Sequence, residues 1–266
     1  MTRRNITLLI TLLFLLLSCS TVPITGRKQL SLIPAGEMLS MSYQQYGEFL
    51  KTNKLSTNQE QTQMVKRVGG KIQNGVERFF SEKGMSDQLK DYRWEVNLVE
   101  SKDVNAWCMP GGKIVVYTGI LPVTQTETGL AVVMGHEVAH AIAEHGNERM
   151  SQGLLAQVGA VGLSVALKDK PDQTKNLWMT AYSVGAQYGA LLPFSRTQES
   201  EADEIGLILM AMAGYNPNEA VSFWQRMSQN SGGNKPPEFM STHPSDQTRI
   251  ENIRQKLPEA MKYYKG

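Results

Sequence analysis

The chain has 266 residues, of which 41% are hydrophobic and 20% charged, and it carries a formal net charge of +2 at pH 7. These values are typical of a globular protein with room for one sizeable domain. The net charge is small and no arginine-rich stripe is interleaved with aromatic residues, so the sequence disfavours nucleic acid as a partner.

The N-terminus has the organisation of a secretory signal peptide. A short basic region over residues 1–4 precedes an apolar run over residues 6–17, which is too short to span a bilayer. The run ends in the sequence LLSC, which resembles a bacterial lipobox, in which the cysteine is lipidated and becomes the first mature residue. We therefore expect a signal peptide over residues 1–18 and a lipidated Cys19. An ordinary signal peptide or an uncleaved anchor is the alternative.

The residues after the cysteine indicate a location. Ser20 stands where enterobacterial lipoproteins that stay at the inner membrane carry an Asp. By that analogy the protein belongs to the bacterial cell envelope, on the outer membrane and facing the periplasm, with its lipid anchor as the membrane contact. Residues 19–34 are expected to form a polar tether. If Cys19 carries lipid, Cys108 has no cysteine partner, and we interpret it as a buried small residue.

Hydrophobic spacing predicts two helices and then three strands at the start of the folded domain, residues 35–266. The predicted helices cover residues 37–50 and 58–80, and the second carries apolar residues at helical spacing. Alternating apolar residues predict a strand over residues 92–100. Further extended segments are predicted over residues 105–109 and 113–118, the second because it is rich in strong strand formers, with a tight hairpin at Pro110-Gly111-Gly112. The exposed edge of such a small sheet can pair with an extended peptide.

The helix predicted over residues 128–145 carries the chemistry of the chain. It contains the motif H-E-x-x-H, formed by His136, Glu137 and His140. Residues four apart project from the same face of an α-helix, so the two histidines can bind one metal ion. Glu137 lies about 100° around the axis, beside the metal, where it can take a proton from a bound water. Two imidazoles and an adjacent base are what metal-assisted hydrolysis requires.

The scarcity of histidine favours a metal site over a chance match to this motif. The chain has four histidines, and three of them lie within ten residues, at positions 136, 140 and 145. His145 is nine residues from His136, about 180° around the helix, so it is not predicted to bind the metal.

Further helices are predicted after the motif. They cover residues 147–168, 175–192, 197–213, 218–229 and 244–257, separated by a turn at 193–196 and a Gly/Pro linker at 231–237. The first of them has no charge from Met150 to Leu167, close to the roughly twenty apolar residues that span a bilayer. Polar residues and glycines interrupt the run, so we predict a buried core helix, with membrane contact as the alternative. Together the elements indicate an α+β, mostly helical fold.

A zinc hydrolase with this motif needs one more protein ligand and an open position for water. The candidates are carboxylates of the helix predicted over residues 197–213. Glu199 and Asp203 are four apart and share a face, whereas Glu201 lies about 200° from Glu199. We assign Glu199 to the metal and Asp203 to a hydrogen bond with His136, which would fix the imidazole tautomer. Glu201 is the alternative ligand.

Four segments, in order, resemble one family of metallopeptidases. They are Asn105-Ala106 with Pro110-Gly111-Gly112, then His136-Glu137-x-x-His140, then Phe194-Ser195-Arg196-x-x-Glu199-x-Glu201-Ala202-Asp203, then Thr242-His243-Pro244-Ser245-x-x-x-Arg249-Ile250. Their order is similar to that in the gluzincin family that contains HtpX, the type I CAAX prenyl protease and the mitochondrial Oma-type proteases. The resemblance covers residues 29–257. Without a convincing spanning helix after the signal, the chain resembles the periplasmic lipoprotein branch, which contains LoiP and the protease core of BepA.

The resemblance implies a zincin-like metallopeptidase core with a small β-sheet beside the H-E-x-x-H helix, and one Zn²⁺ per chain. It implies hydrolysis of peptide bonds by zinc-activated water, with Glu137 as general base, in outer-membrane and periplasmic protein quality control. The substrates would be unfolded or misassembled envelope proteins, held at the strand edge of Asn105 and Ala106. Two rival hypotheses are a latent relative that acts as a periplasmic holdase or assembly factor, and a zinc hydrolase of another substrate such as a cell-wall peptide.

The resemblance also gives His243 a role. In that branch a histidine from such a loop can occupy the open zinc position and keep the enzyme latent, which makes His243 a candidate fourth ligand or regulatory residue. An incidental histidine in a helix-capping loop is the alternative. Arg196 and His243 are also candidate donors to the oxyanion of the reaction.

Overall fold

The computed structural model describes residues 19–187, 191–229, 238–243 and 247–265. The strands within these ranges are β1 (Cys19–Thr21), β2 (Lys28–Leu30), β3 (Glu95–Val99), β4 (Ala106–Met109) and β5 (Lys113–Tyr117). The helices are α1 (Ala35–Thr52), α2 (Gln59–Glu82), α3 (Leu121–Thr124), α4 (Glu127–Ile142), α5 (His145–Ala166), α6 (Asp172–Ala186), α7 (Leu192–Met212), α8 (Glu219–Gln229), α9 (Glu238–Thr242) and α10 (Gln247–Ala260). The mostly helical α+β class predicted from the sequence is confirmed.

The chain divides into two compact units. Unit 1 consists of Met1–Ala35 and Glu144–Gln198, and unit 2 consists of Gly36–Ala143 and Glu199–Gly266. The peptidase domain predicted over residues 35–266 therefore contributes to both units.

The sheet of unit 2 has the strand order β3-β5-β4, with β5 parallel to β3 and antiparallel to β4. The central strand β5 is buried from Lys113 to Val116, as expected for a strand with neighbours on both sides. Gly111 and Gly112 turn the chain between β4 and β5 with positive φ values of 82° and 79°, which glycine adopts without strain. This confirms the predicted hairpin and leaves β4 at an edge of the sheet.

Helix α2 carries the row of apolar residues that the sequence predicts at helical spacing over residues 58–80, called here the α2 stripe. Asn58 caps its N-terminus, since the side chain accepts a hydrogen bond from the backbone N–H of Gln61 at 3.0 Å. The α2 stripe lies in the core of unit 2, where α2 packs against α4 and β3. Its buried members are Val65, Val68, Ile72, Val76, Phe79 and Phe80.

Two segments of unit 1 differ from the prediction. Residues 19–34, expected to be a polar tether, contain the antiparallel pair β1–β2, with Val22 fully buried beside it and Gly26 at a φ of 72° in the turn. Residues 193–196, expected to form a turn, lie within α7. Pro193 is the second residue of that helix, a position at which proline is tolerated.

Helix α5 corrects a third prediction. Residues 147–168 were expected to form a buried core helix, but Val158 is 68% exposed and Val161 59% exposed. Nothing in the described part of the chain forms a helix that combines the length and the apolar character needed to cross a membrane. The Gly/Pro linker predicted at 231–237 and residues 244–246 of the last predicted helix lie outside the described residues.

Candidate metal centre

Helix α4 holds the two histidines of the motif inside the core of unit 2. Thr126 caps the helix by accepting a hydrogen bond from the N–H of Gly129 at 3.0 Å, and every residue from Gly129 to Ile142 is buried. A helix that is apolar on all sides is stable only when it is enclosed. His136 and His140 project one turn apart, and their Nε2 atoms lie 3.1 Å from each other.

Two further side chains bring ligand atoms to this pair. Oε2 of Glu199 lies 3.3 Å from Nε2 of His136, and Oε1 lies 3.3 Å from Nε2 of His140. Nδ1 of His243 lies 2.9 Å from Glu199 Oε2 and 3.1 Å from His136 Nε2. The ligand atoms of these four residues all lie within 4.8 Å of one another. The structure therefore brings together residues that are up to 107 positions apart in the sequence.

The donor set fits a zinc ion. Zinc binds imidazole nitrogen and carboxylate oxygen at about 2.0–2.2 Å in tetrahedral geometry, which separates its ligand atoms by roughly 3.3–3.6 Å. The separations of 2.9–3.3 Å between neighbouring donor atoms come close to those edges. Imidazole nitrogen suits zinc, and a carboxylate oxygen is another of its usual protein ligands.

A second layer of contacts orients His136. Oδ1 of Asp203 lies 3.0 Å from Nδ1 of His136, so the imidazole can donate from Nδ1 and present Nε2 to a metal. The Arg249 guanidinium donates to both oxygens of Asp203, from Nη2 at 2.8 Å and from Nε at 2.9 Å. It also lies 3.5 Å from the centre of the Trp224 ring. The carboxylate, the guanidinium and the indole together fix the ring of His136.

Sequence reasoning assigned no role to Arg249 or Trp224. Arg249 is buried on the same face of α10 as Ile250 and Ile253. An arginine on the apolar face of an amphipathic helix needs a buried anion, and that pattern was the available signal. Trp224 gave no comparable signal, because a buried tryptophan on an amphipathic helix is ordinary core.

The electrostatics of the centre follow from burial and these contacts. Burial alone would lower the pKa of His136, but hydrogen bonds to Asp203 and Glu199 outweigh it and raise the pKa to about 9. Burial would raise the pKa of Glu199, yet hydrogen bonds with His136, His140 and His243 hold that pKa far below its usual range. In the same way Arg249 and His136 overcome burial and lower the pKa of Asp203.

Glu137 differs from the other carboxylates of the centre. Its Oε1 is buried and has no hydrogen-bond partner among the residues that the structure describes, although His243 Nε2 lies 3.4 Å away. Burial raises the pKa of this carboxyl group above its usual value. A buried polar atom without a partner is costly, so this oxygen is placed to bind a water or a ligand.

Close helix packing sets the distance between the motif and the carboxylates of α7. Gly135 precedes His136, and a Cβ added to it would lie 2.8 Å from the backbone oxygen of Gly206. A Cβ added to Gly206 would lie 2.9 Å from the backbone nitrogen of His136. The two helices of unit 2 therefore touch backbone to backbone beside the metal ligands.

The structure places the other predicted site residues as follows. Ala106 is buried at the start of the edge strand β4, which packs against α4, and its N–H donates to the side chain of Asn105 at 2.9 Å.

Glu201 is buried but is not one of the four clustered ligands, and neither is His145. Arg196 has an exposed side chain and belongs to unit 1. The thiol of Cys108 is partly buried, and burial raises its pKa well above the usual value.

The chain is similar to known metallopeptidases. A mitochondrial metalloendopeptidase OMA1 of Schizosaccharomyces pombe is 35% identical over 243 residues, which are 90% of this chain and 66% of the relative. The OMA1 metalloendopeptidase of Homo sapiens is 32% identical over 248 residues, 90% of this chain and 46% of the relative. A beta-barrel assembly-enhancing protease of Escherichia coli is 28% identical over 162 residues, 59% of this chain and 33% of the relative.

The chain thus spans from about a third to about two thirds of the length of these relatives. The family model described as "Peptidase family M48" matches residues 67–257, which include the H-E-x-x-H motif and the other clustered ligands. The family resemblance of the sequence is confirmed, whereas its placement in the periplasmic lipoprotein branch stays a prediction. The chain belongs to peptidase family M48.

Proposed function

We propose that this protein is a zinc-dependent metalloendopeptidase. The observation that carries the proposal is the buried Oε1 of Glu137, which has no partner within the described ranges and lies beside a donor set that fits zinc. A purely structural zinc site needs no such base, because all its positions are filled by ligands. The family membership supports the same activity.

His136, His140 and Glu199 would hold the zinc, which supplies a Lewis acid that lowers the pKa of water towards neutrality and polarises a carbonyl. Glu137 takes the proton of the attacking water at its unpartnered Oε1 and passes it to the leaving amine. Its raised pKa suits a group that must both accept and return a proton. Asp203 holds the Nδ1 proton of His136, so that Nε2 keeps its lone pair.

The strand edge and the oxyanion donors complete the proposal. An extended substrate would pair with the outer edge of β4, beginning at Asn105 and Ala106. That strand packs against α4, the helix that carries His136 and His140, so the substrate would lie close to the metal ligands. His243 is the better candidate donor to the oxyanion, since its ring is already among the ligand atoms. Arg196 stays a sequence prediction as the other donor.

The test of the activity is Glu137→Gln in the full chain. We expect casein cleavage to fall by about two to four orders of magnitude, the usual contribution of a general base. Zinc content should be unchanged, because the substituted residue is not a ligand. The matched control is Glu204→Gln on α7. It removes a carboxylate that pairs with Lys256 on α10 and is not one of the clustered ligands. Full activity of Glu137→Gln would exclude the role given to Glu137.

We propose a lipid-anchored location at the outer membrane of a bacterial envelope, with the protein facing the periplasm. The support is the LLSC sequence ending at Cys19 and the similarity to a beta-barrel assembly-enhancing protease. Unfolded or misassembled envelope proteins would then be the substrates. Metabolic labelling with a fatty acid, in wild type and Cys19→Ser, tests the anchor.

A second candidate is a latent relative that acts as a holdase or assembly factor. It is favoured by the position of His243 Nδ1, which lies where a fourth ligand would close the site. The two candidates differ in the behaviour of His243→Ala. If this variant cleaves casein faster than wild type, the enzyme is a peptidase held latent by His243. If neither protein cleaves while zinc is bound, the holdase is favoured.

A further inference from the structure

Unit 1 exposes more apolar side chains than a water-facing surface normally carries. Ten large hydrophobic side chains are exposed in the described residues, and nine of them lie on α5 and α6. Five on α5 fall within an arc of about 80° when each residue advances 100° around the helix, and they form a row about 22 Å long. We call these five the apolar stripe: Met150, Leu154, Val158, Val161 and Val165. Contiguous exposed patches of this kind mark interaction sites.

The stripe is not used to join α5 to α6. The two helices are held by Tyr182 of α6, whose Oη donates to the backbone oxygen of Ala156 at 2.8 Å. Gly159 makes room for this ring, since a Cβ there would lie 2.2 Å from Tyr182 Oη. Tyr182 therefore joins the two helices of the hairpin while the stripe stays exposed.

The distribution of charge favours lipid as the covering partner. No charged residue lies between Met150 and Leu167 or between Asn176 and Gln187. Five lie in the segment between them, which we call the charged turn and which includes the first turn of α6: Lys168, Asp169, Lys170, Asp172 and Lys175. Protein interfaces carry a polar rim with hydrogen-bonding and charged groups around the apolar part. Long charge-free helix surfaces are instead what a hydrocarbon boundary requires, because charges there are costly. A charged turn also disfavours insertion of the hairpin with its turn leading.

The N-terminal segment leads to the same surface. Cys19 lines a cavity of about 690 Å³ together with Leu155, Ala156 and Tyr182 of the hairpin. The apolar run over residues 6–17 ends two positions before this cysteine. An apolar leader or a lipid on Cys19 would therefore reach the bilayer beside the hairpin.

The base of the hairpin is fixed to this segment. Arg27 donates from Nη1 and Nη2 to the two oxygens of Glu148 on α5, each at 2.8 Å. Asn147 donates to the backbone oxygen of Ile33 at 2.7 Å. The segment after Cys19 and the hairpin consequently form one piece within unit 1, and a membrane contact at one brings the other to the surface.

We propose that the α5–α6 hairpin docks flat on a phospholipid bilayer, with the apolar stripe at the level of the upper acyl chains and the charged turn among the headgroups. Trp178, 55% exposed on α6, is the type of residue that settles at such an interface. The turn has three lysines and two aspartates, so neutral phosphatidylcholine is a sufficient surface. The docking depends neither on acylation of Cys19 nor on peptidase activity.

The test uses the full chain bound to phosphatidylcholine vesicles, with single cysteines carrying an environment-sensitive fluorophore. Val158→Cys and Val161→Cys report on the stripe, Asp169→Cys on the turn, and Lys66→Cys on the exposed face of α2 serves as the matched control. The parent chain gives the background from Cys19 and Cys108. Because interfacial helices lie about 5–10 Å below the headgroup boundary, we expect lipids spin-labelled on the upper acyl chain to quench positions 158 and 161 at least about twofold. Position 66, in unit 2, gives the reference emission of an exposed helix side chain outside the hairpin.

Three outcomes overturn the proposal. Emission at 158 and 161 that stays as water-exposed as at 66, with the protein bound to vesicles, shows that the stripe does not meet lipid. Stronger quenching at 169 than at 158 shows insertion with the turn leading. Cross-linking of two Val158→Cys chains without quenching by spin-labelled lipid identifies a second copy as the cover. Because all four substituted side chains are exposed, circular dichroism should show unchanged folding.

Discussion

Asp203 is the residue on which the precision of the metal centre depends. It accepts from Nδ1 of His136 and from two nitrogens of Arg249, so one carboxylate orients a ligand and neutralises a buried cation. A buried charge that loses its partner costs several kcal/mol, on the order of 3–5. The consequence of changing Asp203 should therefore be felt in metal binding and in stability together.

Asp203→Asn is predicted to weaken zinc binding by about 10- to 100-fold, the usual cost of losing a partner that orients a metal-binding histidine. The amide keeps the size of the side chain but removes the charge that Arg249 and the Nδ1 proton of His136 require. Competition with a chromophoric chelator measures the affinity. Glu204→Gln, one residue further along the same helix, should bind zinc as wild type does. Equal affinities in the two variants would contradict the role given to Asp203.

At the level of the elements, the crossing of α4 and α7 determines whether the ligands meet. Gly135 and Gly206 lie in the contact, and the atoms nearest to an added Cβ are backbone atoms, which have no side-chain freedom to move away. Extra atoms at such a contact force the helices apart. Since Glu199 and Asp203 lie on one of these helices and the histidines on the other, a shift would spread the four ligand atoms.

Gly206→Ala is predicted to lower the free energy of unfolding by about 1–3 kcal/mol through overpacking, and to weaken zinc binding as well. The control is Gly70→Ala in α2, where an added Cβ has no atom of a described residue within 4 Å. That variant should be neutral or more stable by about 0.5–1 kcal/mol, because alanine favours the helix. Urea unfolding and chelator competition measure the two effects. A Gly206→Ala protein as stable as Gly70→Ala would show that the helices do not touch as described.

The elements that periodicity specifies were predicted well. The apolar spacing of α2, the alternation of β3 and the β-branched run of β5 are each local patterns, and these elements lie where they were expected. The pair β1–β2 was missed, since three-residue strands carry no detectable alternation and the segment that follows them is held by Asn147 and Ser151, far along the chain. The exposure of α5 was missed because an apolar run is equally compatible with a core and with a lipid-facing surface.

At the scale of the whole molecule, the sequence predicts those site residues whose spacing along one helix fixes the side of the helix from which they project. The two histidines and Glu137 follow from one helix, and Glu199 with Asp203 from another. No sequence rule gives the distance between those helices, which depends on a glycine contact. His243 entered through the family resemblance and Arg249 was assigned no role, because a buried arginine is explained only when its anion is known.

The cluster also couples metal binding to the pH dependence of stability. Hydrogen bonds raise the pKa of His136 from about 6.5 in an unfolded chain to about 9 in the folded, metal-free protein. A raised pKa contributes stability that is fully present below the unfolded value and is lost as the pH rises through the folded value. The lowered pKa values of Glu199 and Asp203 contribute stability above the unfolded carboxyl range, which stays constant in this window.

We therefore predict that zinc stabilises the protein increasingly between pH 6.5 and pH 8.5. The metal-free protein should become less stable across this interval as the proton of His136 becomes easier to lose, whereas zinc requires the deprotonated Nε2 and binds more tightly. Thermal unfolding with a chelator and with equimolar zinc, at several pH values, measures the difference between the two midpoints. Asp203→Asn removes one hydrogen bond that raises the pKa of His136, so the pH dependence of its metal-free form should be flatter. A difference between the midpoints that is the same at every pH would show that His136 is not protonated in the metal-free protein, and that the buried carboxylates pair with a neutral ring.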